Sequence, residues 1–227
     1  MESLEKFNKN LNIITEQIKI SAIGKQVNLI AVTKNQSKEA WLRLLETNIR
    51  YIGENRIQET IKKINNFPQI NQFHLHLIGH LQTNKIKKAV KIYDVIQTVD
   101  SIKLAKKINK EAEKIKKTQE IYIQINITKD KNKAGMAEEN IFKNIKEIIS
   151  LKNIKLTGIM TILKKGLKKK EIILYYKKIK EIQQKISIKM CPGCIYTSMG
   201  MTNDYKEAIE AGATHIRIGT GLFGQRK

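Results

Sequence analysis

Short β-branched apolar runs recur along the whole chain, each separated from the next by a longer segment of helical period, and this alternation restricts the possible folds more than any other feature. The runs are Asn28 to Thr33, Tyr51 to Gly53, Phe73 to Ile78, Val95 to Val99, Ile121 to Ile127, Lys155 to Met160, Ile195 to Ser198, and His215 to Ile218. Strand, helix and strand in repetition make βαβ units, because neighbouring parallel strands need a long crossover between them. Eight such runs in 227 residues predict an α/β protein with a closed (β/α)8 TIM-type barrel rather than an open sheet. The 41% apolar content suffices for one continuous core and no linker divides the chain, so residues 1–227 are expected to form a single domain.

The segments between the runs carry helix signals. Ser37, Ser101 and Asn203 stand where N-caps are expected. Trp41, Leu42 and Leu45 predict one apolar stripe facing the barrel, and Ile102, Ala105 and Ile108 another. Glu2 to Lys19 predicts an extra N-terminal amphipathic helix, suited to packing across the bottom of the barrel. Met1 to Ile20 mixes Glu, Lys and Asn into its apolar pattern, unlike a secretory leader, and no stretch approaches the roughly 18 apolar residues of a membrane span. A soluble cytoplasmic protein with no membrane partner is expected.

The formal charge of +22 would suit a polyanion, since neutralised phosphates dominate nucleic-acid binding. Its distribution does not. Of the 43 basic residues only Arg43, Arg50, Arg56, Arg217 and Arg226 are arginine, and lysine is spread over nearly every helical segment. Base-reading surfaces favour the bidentate fork of arginine, and no helix-turn-helix, zinc-finger or RNP-like pattern occurs. No specific nucleic-acid partner is expected. Cys191 and Cys194 form a lone CPGC without the further ligands that a structural zinc needs, so they are taken as ordinary thiols in a turn and no metal site is expected.

In a barrel of this kind the chemistry sits at the carboxyl ends of the strands. Lys34 follows the first run directly, where desolvation would favour a free amine able to attack an aldehyde. Two glycine-containing loops follow the seventh and eighth runs, YTSMGMTND and RIGTGLFG. Their glycines allow close approach of the backbone to an anion, and the hydroxyls of Ser198 and Thr220 can donate to it. Either loop alone could equally be ordinary turn chemistry. His74 and His76 share one face of the third run and read as an inner-layer pair.

Taken together, LIAVTK with Lys34, YIGENRIQE from Tyr51, HLIGHLQTNK from His76, IQINITKDKNKAGM from Ile123, LTGIM from Leu156 and YTSMGMTNDYKEAIEAGATHIRIGTGLFG from Tyr196 occur in order from near Asn28 to the C-terminus. In this collinear set the chain resembles the pyridoxal phosphate homeostasis protein family. The resemblance implies a fold similar to the N-terminal barrel of alanine racemase. It implies pyridoxal 5′-phosphate as cofactor, held as a Schiff base on Lys34, with Ser198, Gly200, Gly219 and Thr220 as the phosphate cradle. Arg217 would face the pyridine nitrogen, where a guanidinium cannot accept a proton, and so would restrain carbanion chemistry. Asn55 and His76, with Gly79, would line the ring pocket, and Met160 and Met199 would wall it. Thr161 to Lys170 is shorter and richer in lysine than the family's usual loop, which leaves the contacts of the loop after the sixth strand open, and the CPGC is outside the family pattern.

The resemblance implies a carrier that acts in intracellular homeostasis of vitamin B6 and is not an enzyme, with apo forms of pyridoxal phosphate enzymes as its partner class. The alternative is an amino-acid racemase-like enzyme of low activity. Racemisation needs an acid/base on each face of the α-carbon. The second would have to come from a tyrosine such as Tyr51, Tyr122 or Tyr196, because the chain ends at Lys227 with no second domain to supply it. Without that domain a monomer is expected.

Overall fold

A computed structural model describes residues 2–65 and 67–224; Arg226 and Lys227 lie outside the described residues. In chain order the elements are α1 (Glu2–Ala22), β1 (Asn28–Val32), α2 (Glu39–Leu45), β2 (Tyr51–Glu54), α3 (Ile57–Ile64), β3 (His74–Leu77), α4 (Ile86–Ile92), β4 (Val95–Val99), α5 (Ile102–Lys114), β5 (Gln119–Ile125), α6 (Ile141–Ile148), β6 (Ile154–Thr161), α7 (Lys169–Lys189), β7 (Tyr196–Ser198), α8 (Tyr205–Glu210), β8 (His215–Ile218) and α9 (Thr220–Phe223). The strands are parallel and adjacent in sequence order, and β1 closes the barrel against β8 with Ile30 opposite Arg217. The expected eight-stranded barrel is present. Its largest boundary difference is β5, which begins two residues early because buried Gln119 bonds the Asp94 carbonyl at 2.7 Å and needs no apolar neighbour there.

Alternation along the strands divides the core into two layers. Ala31, Ile52, Leu75, Ile96, Ile123, Ile159, Met199 and Ile216 face outward into the barrel–helix layer. Val95, Tyr122 and Met160 pack inside the barrel. Each fully buried aliphatic side chain stabilises the fold by about 1.5–3 kcal/mol.

Several helix details differ from expectation. Ser101 caps α5, its Oγ accepting from the Leu104 amide at 3.2 Å. Ser37 does not cap α2, which starts at Glu39 behind Lys38; its hydroxyl is hydrogen-bonded to the Glu39 carboxylate instead. Asn203 yields the N-cap position of α8 to Asp204, whose carboxylate instead accepts the Met201 amide at 2.6 Å. The stripe of α2 is Ala40, Trp41 and Leu44, while Leu42 is exposed. Helix α1 does not cross the bottom of the barrel. Its stripe of Phe7, Leu11, Ile14 and Ile18 packs along the side against α8 and α9, with Phe7 stacked on Phe223 at 5.6 Å and Asn10 donating to the Leu222 carbonyl.

Candidate functional site

The turn after β1 is anchored from beneath by buried charge. Thr33 is fully buried; its hydroxyl donates to Glu54 Oε1 at 2.6 Å and accepts from Trp41 Nε1 at 2.8 Å. Lys63, on α3, donates to the Thr33 carbonyl and to Glu54 Oε1, both at 2.7 Å, and lies 2.9 Å from Glu59. Glu59 in turn accepts the amide of Asn35, which takes a left-handed φ of 58°. Both flanks of Lys34 are therefore tied to one network. Burial pushes the Glu54 carboxyl above the usual range, although Lys63 and Thr33 pull the other way.

From this turn Lys34 reaches a cavity of about 940 Å³ at the carboxyl ends of the strands. Val32, Asn55 and Ile78 line one side, and Met201 to Asp204 with Arg217, Gly219 and Thr220 line another. The buried Oδ1 of Asn55 has no hydrogen-bond partner. Beneath Asn55, Gly79 is needed for close approach: a Cβ there would lie 2.3 Å from the Asn55 carbonyl oxygen.

The two loops that follow β7 and β8 are cross-linked through Thr202. Its hydroxyl accepts from Gly221 N at 3.2 Å and from the Thr220 hydroxyl at 3.3 Å, which leaves its own proton for a further acceptor. Asp204 is held by the Met201 amide and by the Tyr176 hydroxyl at 2.8 Å.

Of the residues singled out by sequence, the structure brings Lys34, Asn55, Arg217, Gly219 and Thr220 to the wall of this cavity. The other five lie elsewhere. Ser198 is fully buried in the barrel, donating to Gln97 Oε1 at 2.6 Å and accepting from Arg217 Nη1 at 2.7 Å. Gly200, at φ 88°, permits packing on α8, since a Cβ would lie 2.5 Å from that of Ala208. Met199 points into the helix layer, and Met160 packs against Val95 and Tyr122 in the barrel interior. His76 is buried against Gln97 Nε2 at 2.6 Å, whereas His74 is exposed.

The interior below is filled by rings. His215 contacts Tyr51, Tyr122 and Tyr196 with centroids 5.5, 6.1 and 5.0 Å away, and His76 at 6.1 Å. None of these residues lines the cavity. Burial holds the His215 ring at about 4 and keeps His76 well below the usual range, and it raises the Tyr122 phenol. Among the described residues no group of three or more His, Cys, Asp or Glu is placed to hold a metal. Cys194 is buried, its thiol pushed up to about 12.

Sequence reasoning missed three contributors and left a fourth open. The loop 162–167, within the segment Thr161 to Lys170 whose contacts the sequence left open, walls the cavity. Thr202 and Lys63 look like ordinary polar residues in sequence. Gln97 did carry a signal, as the lone amide within the apolar run VIQTV.

The model of the alanine racemase N-terminal domain matches residues 3–227. The pyridoxal phosphate homeostasis protein of Synechocystis sp. is 36% identical over 207 residues, covering 91% of this chain and 95% of that one. The protein of the same name from Aquifex aeolicus is 31% identical and covers all of both chains. Among solved structures, PipY of Synechococcus elongatus with PLP bound is 30% identical with a TM-score of 0.87, covering 96% of this chain and all of that one. Alanine racemase of Clostridium difficile, at 18% identity and a TM-score of 0.77 over 57% of its length, shares the fold.

Proposed function

The chain belongs to the pyridoxal phosphate homeostasis protein family, within the alanine racemase N-terminal domain family, and on that premise we propose that it binds pyridoxal 5′-phosphate covalently through Lys34, as a Schiff base, and carries or buffers it rather than turning over a substrate. The observation that carries the proposal is the meeting of Lys34 and Arg217, from the two strands that close the barrel, on one cavity wall.

The donor set suits an anionic aromatic aldehyde. Lys34 supplies the amine, and the hydroxyl of Thr202, whose proton is uncommitted, with the backbone around Gly219 offers donors to a phosphate. Val32 and Ile78 give apolar surface for a ring. The Asn55 amide, with an oxygen in want of a donor, suits the ring hydroxyl. When bound, the cofactor supplies an electrophilic carbon and an electron sink. Arg217 limits that sink because it can only donate, so a ring nitrogen facing it receives no proton from an acid.

The carrier reading is favoured over racemisation by the lack of a tyrosine or histidine among the described cavity residues. Tyr51, Tyr122 and Tyr196 are packed with His215 below. Among the described residues no helix is long and apolar enough to cross a membrane. The proposal takes residues 1–227 as one barrel domain acting as a monomer in the cytoplasm, with apo forms of pyridoxal phosphate enzymes as recipients.

The test is an absorbance spectrum of the purified protein before and after borohydride, followed by peptide mass mapping, on the natural chain and on Lys34→Ala. The expected result is a band that borohydride bleaches and a reduced adduct on the Lys34 peptide, both missing from the variant. A colourless protein that takes up no added pyridoxal phosphate would overturn the proposal.

A further inference from the structure

We propose that Gln97 is a positioning residue of this site: through Ser198 it fixes the Arg217 guanidinium, and His76 orients Gln97 from below. The inference rests on the reading of Arg217 as the group that faces the cofactor ring.

The argument is one of proton direction. Arg217 is buried, and its guanidinium donates from Nη1 to Ser198 Oγ at 2.7 Å and from Nη2 to the Thr161 carbonyl at 2.8 Å. A guanidinium has no acceptor, so Ser198 must accept there and send its single proton elsewhere. It goes to Gln97 Oε1, 2.6 Å away across the barrel. With its oxygen so engaged, the Gln97 amide turns Nε2 to His76 Nδ1 at 2.6 Å. His76 accepts at Nδ1, which places its own proton on Nε2. Every proton in the series then points away from Arg217 toward His76.

Four strands contribute, β8, β7, β4 and β3, and all four side chains are buried. In such a setting a donor left without its acceptor is costly, so the order of the series is fixed from the Arg217 end, where a group that can only donate meets Ser198, while His76 Nε2 at the other end has no hydrogen-bond partner. A protonated His76 Nδ1 could not accept from Gln97, and the reversed amide would turn the Ser198 proton back on Arg217. The series also removes Ser198 from the phosphate cradle, since its proton is committed, as that of Thr220 is to Thr202, and leaves Thr202 as the hydroxyl on that wall with a proton to give.

The test compares Gln97→Met with Gln97→Glu. Methionine keeps the volume and deletes the acceptor; glutamate keeps an acceptor for Ser198 and can take the Nδ1 proton of the other His76 tautomer. For Gln97→Met the expected result is affinity for pyridoxal phosphate about tenfold or more weaker, a displaced absorption maximum of the bound cofactor, and a crystal structure in which Arg217 has left the Thr161 carbonyl. Gln97→Glu is expected to retain the natural spectrum. Wild-type affinity, spectrum and Arg217 position in Gln97→Met would overturn the inference, as would equal failure of both variants, which would mark Gln97 as packing alone. If Gln97→Met does not fold, Ser198→Ala makes the same comparison. Should the natural protein take up no pyridoxal phosphate, the proposed function fails, and the ligand-free crystal structures decide the inference separately: Arg217 displaced in the variant sustains it, and Arg217 unmoved overturns it.

Discussion

The two ends of the barrel interior hold similar chemistry put to opposite use. Above, Lys34 and Arg217 open onto the cavity, with buried Lys63 and Glu54 behind the turn that carries Lys34. Below, His76, His215, Tyr51, Tyr122 and Tyr196 pack ring against ring with no opening to that cavity. Burial keeps the two histidines there neutral, His215 at about 4 and His76 well below the usual range. Titratable side chains inside this barrel therefore become site or filling according to their height, and the Arg217–Ser198–Gln97–His76 series joins the two levels by hydrogen bonds.

The largest effects should separate the two ends. Tyr122→Ala deletes a filled interior ring and should cost about 3–5 kcal/mol in urea denaturation, while the folded variant keeps its affinity for pyridoxal phosphate. A parallel loss of affinity would break the separation. Lys63→Met should destabilise by about 3 kcal/mol or more, because it leaves Glu54 buried without its cation. It should also slow borohydride-trappable uptake at Lys34. Lys34→Met, at the open end of the same turn, should change stability by less than about 1 kcal/mol; similar costs for the two lysines would contradict the division into support and site.

A smaller effect should appear with acid. His215 is surrounded by Tyr51, Tyr122, Tyr196, His76 and Arg217, and its folded value lies near 4. Above about pH 6.5 the folded and unfolded chains both hold neutral imidazole and it contributes no slope. Below that, the unfolded chain binds a proton that the folded one refuses, so stability should fall as pH drops from about 6.5 toward 4, by a few kcal/mol in all. Denaturation of His215→Gln at a series of pH values should show a shallower fall, and an identical fall would remove His215 from the account. The smallest effect belongs to the rim. Lys164→Gln with Lys165→Gln should slow association of pyridoxal phosphate about twofold at low salt and not at high salt, as read by stopped-flow absorbance; a salt-independent difference would point to direct contact instead.

Of the five predicted site residues that line the cavity, Arg217 lies within β8 and the other four lie just beyond a strand end. Lys34 and Asn55 each follow the last residues of a strand and come to the cavity wall, as do Gly219 and Thr220 after β8. Residues within or hard against a strand were less legible. Met199 sits one position past Ser198 and so faces the helices, while Met160 and His76 face inward but pack below the wall. The loop 162–167 was unreadable because its lysines say nothing of where its backbone folds back.

By itself the sequence determined the barrel, because eight apolar runs spaced by helices have few other ways to bury both faces of a parallel sheet. It also determined which residues stand at the strand ends. Only the tertiary structure decided that Ser198 spends its proton on Gln97, that Lys63 supports the Lys34 turn, and that Thr202 joins the two loops. Those outcomes depend on the height and direction of side chains from strands as much as 101 residues apart, which follow from how the closed barrel staggers its strands and not from any local pattern.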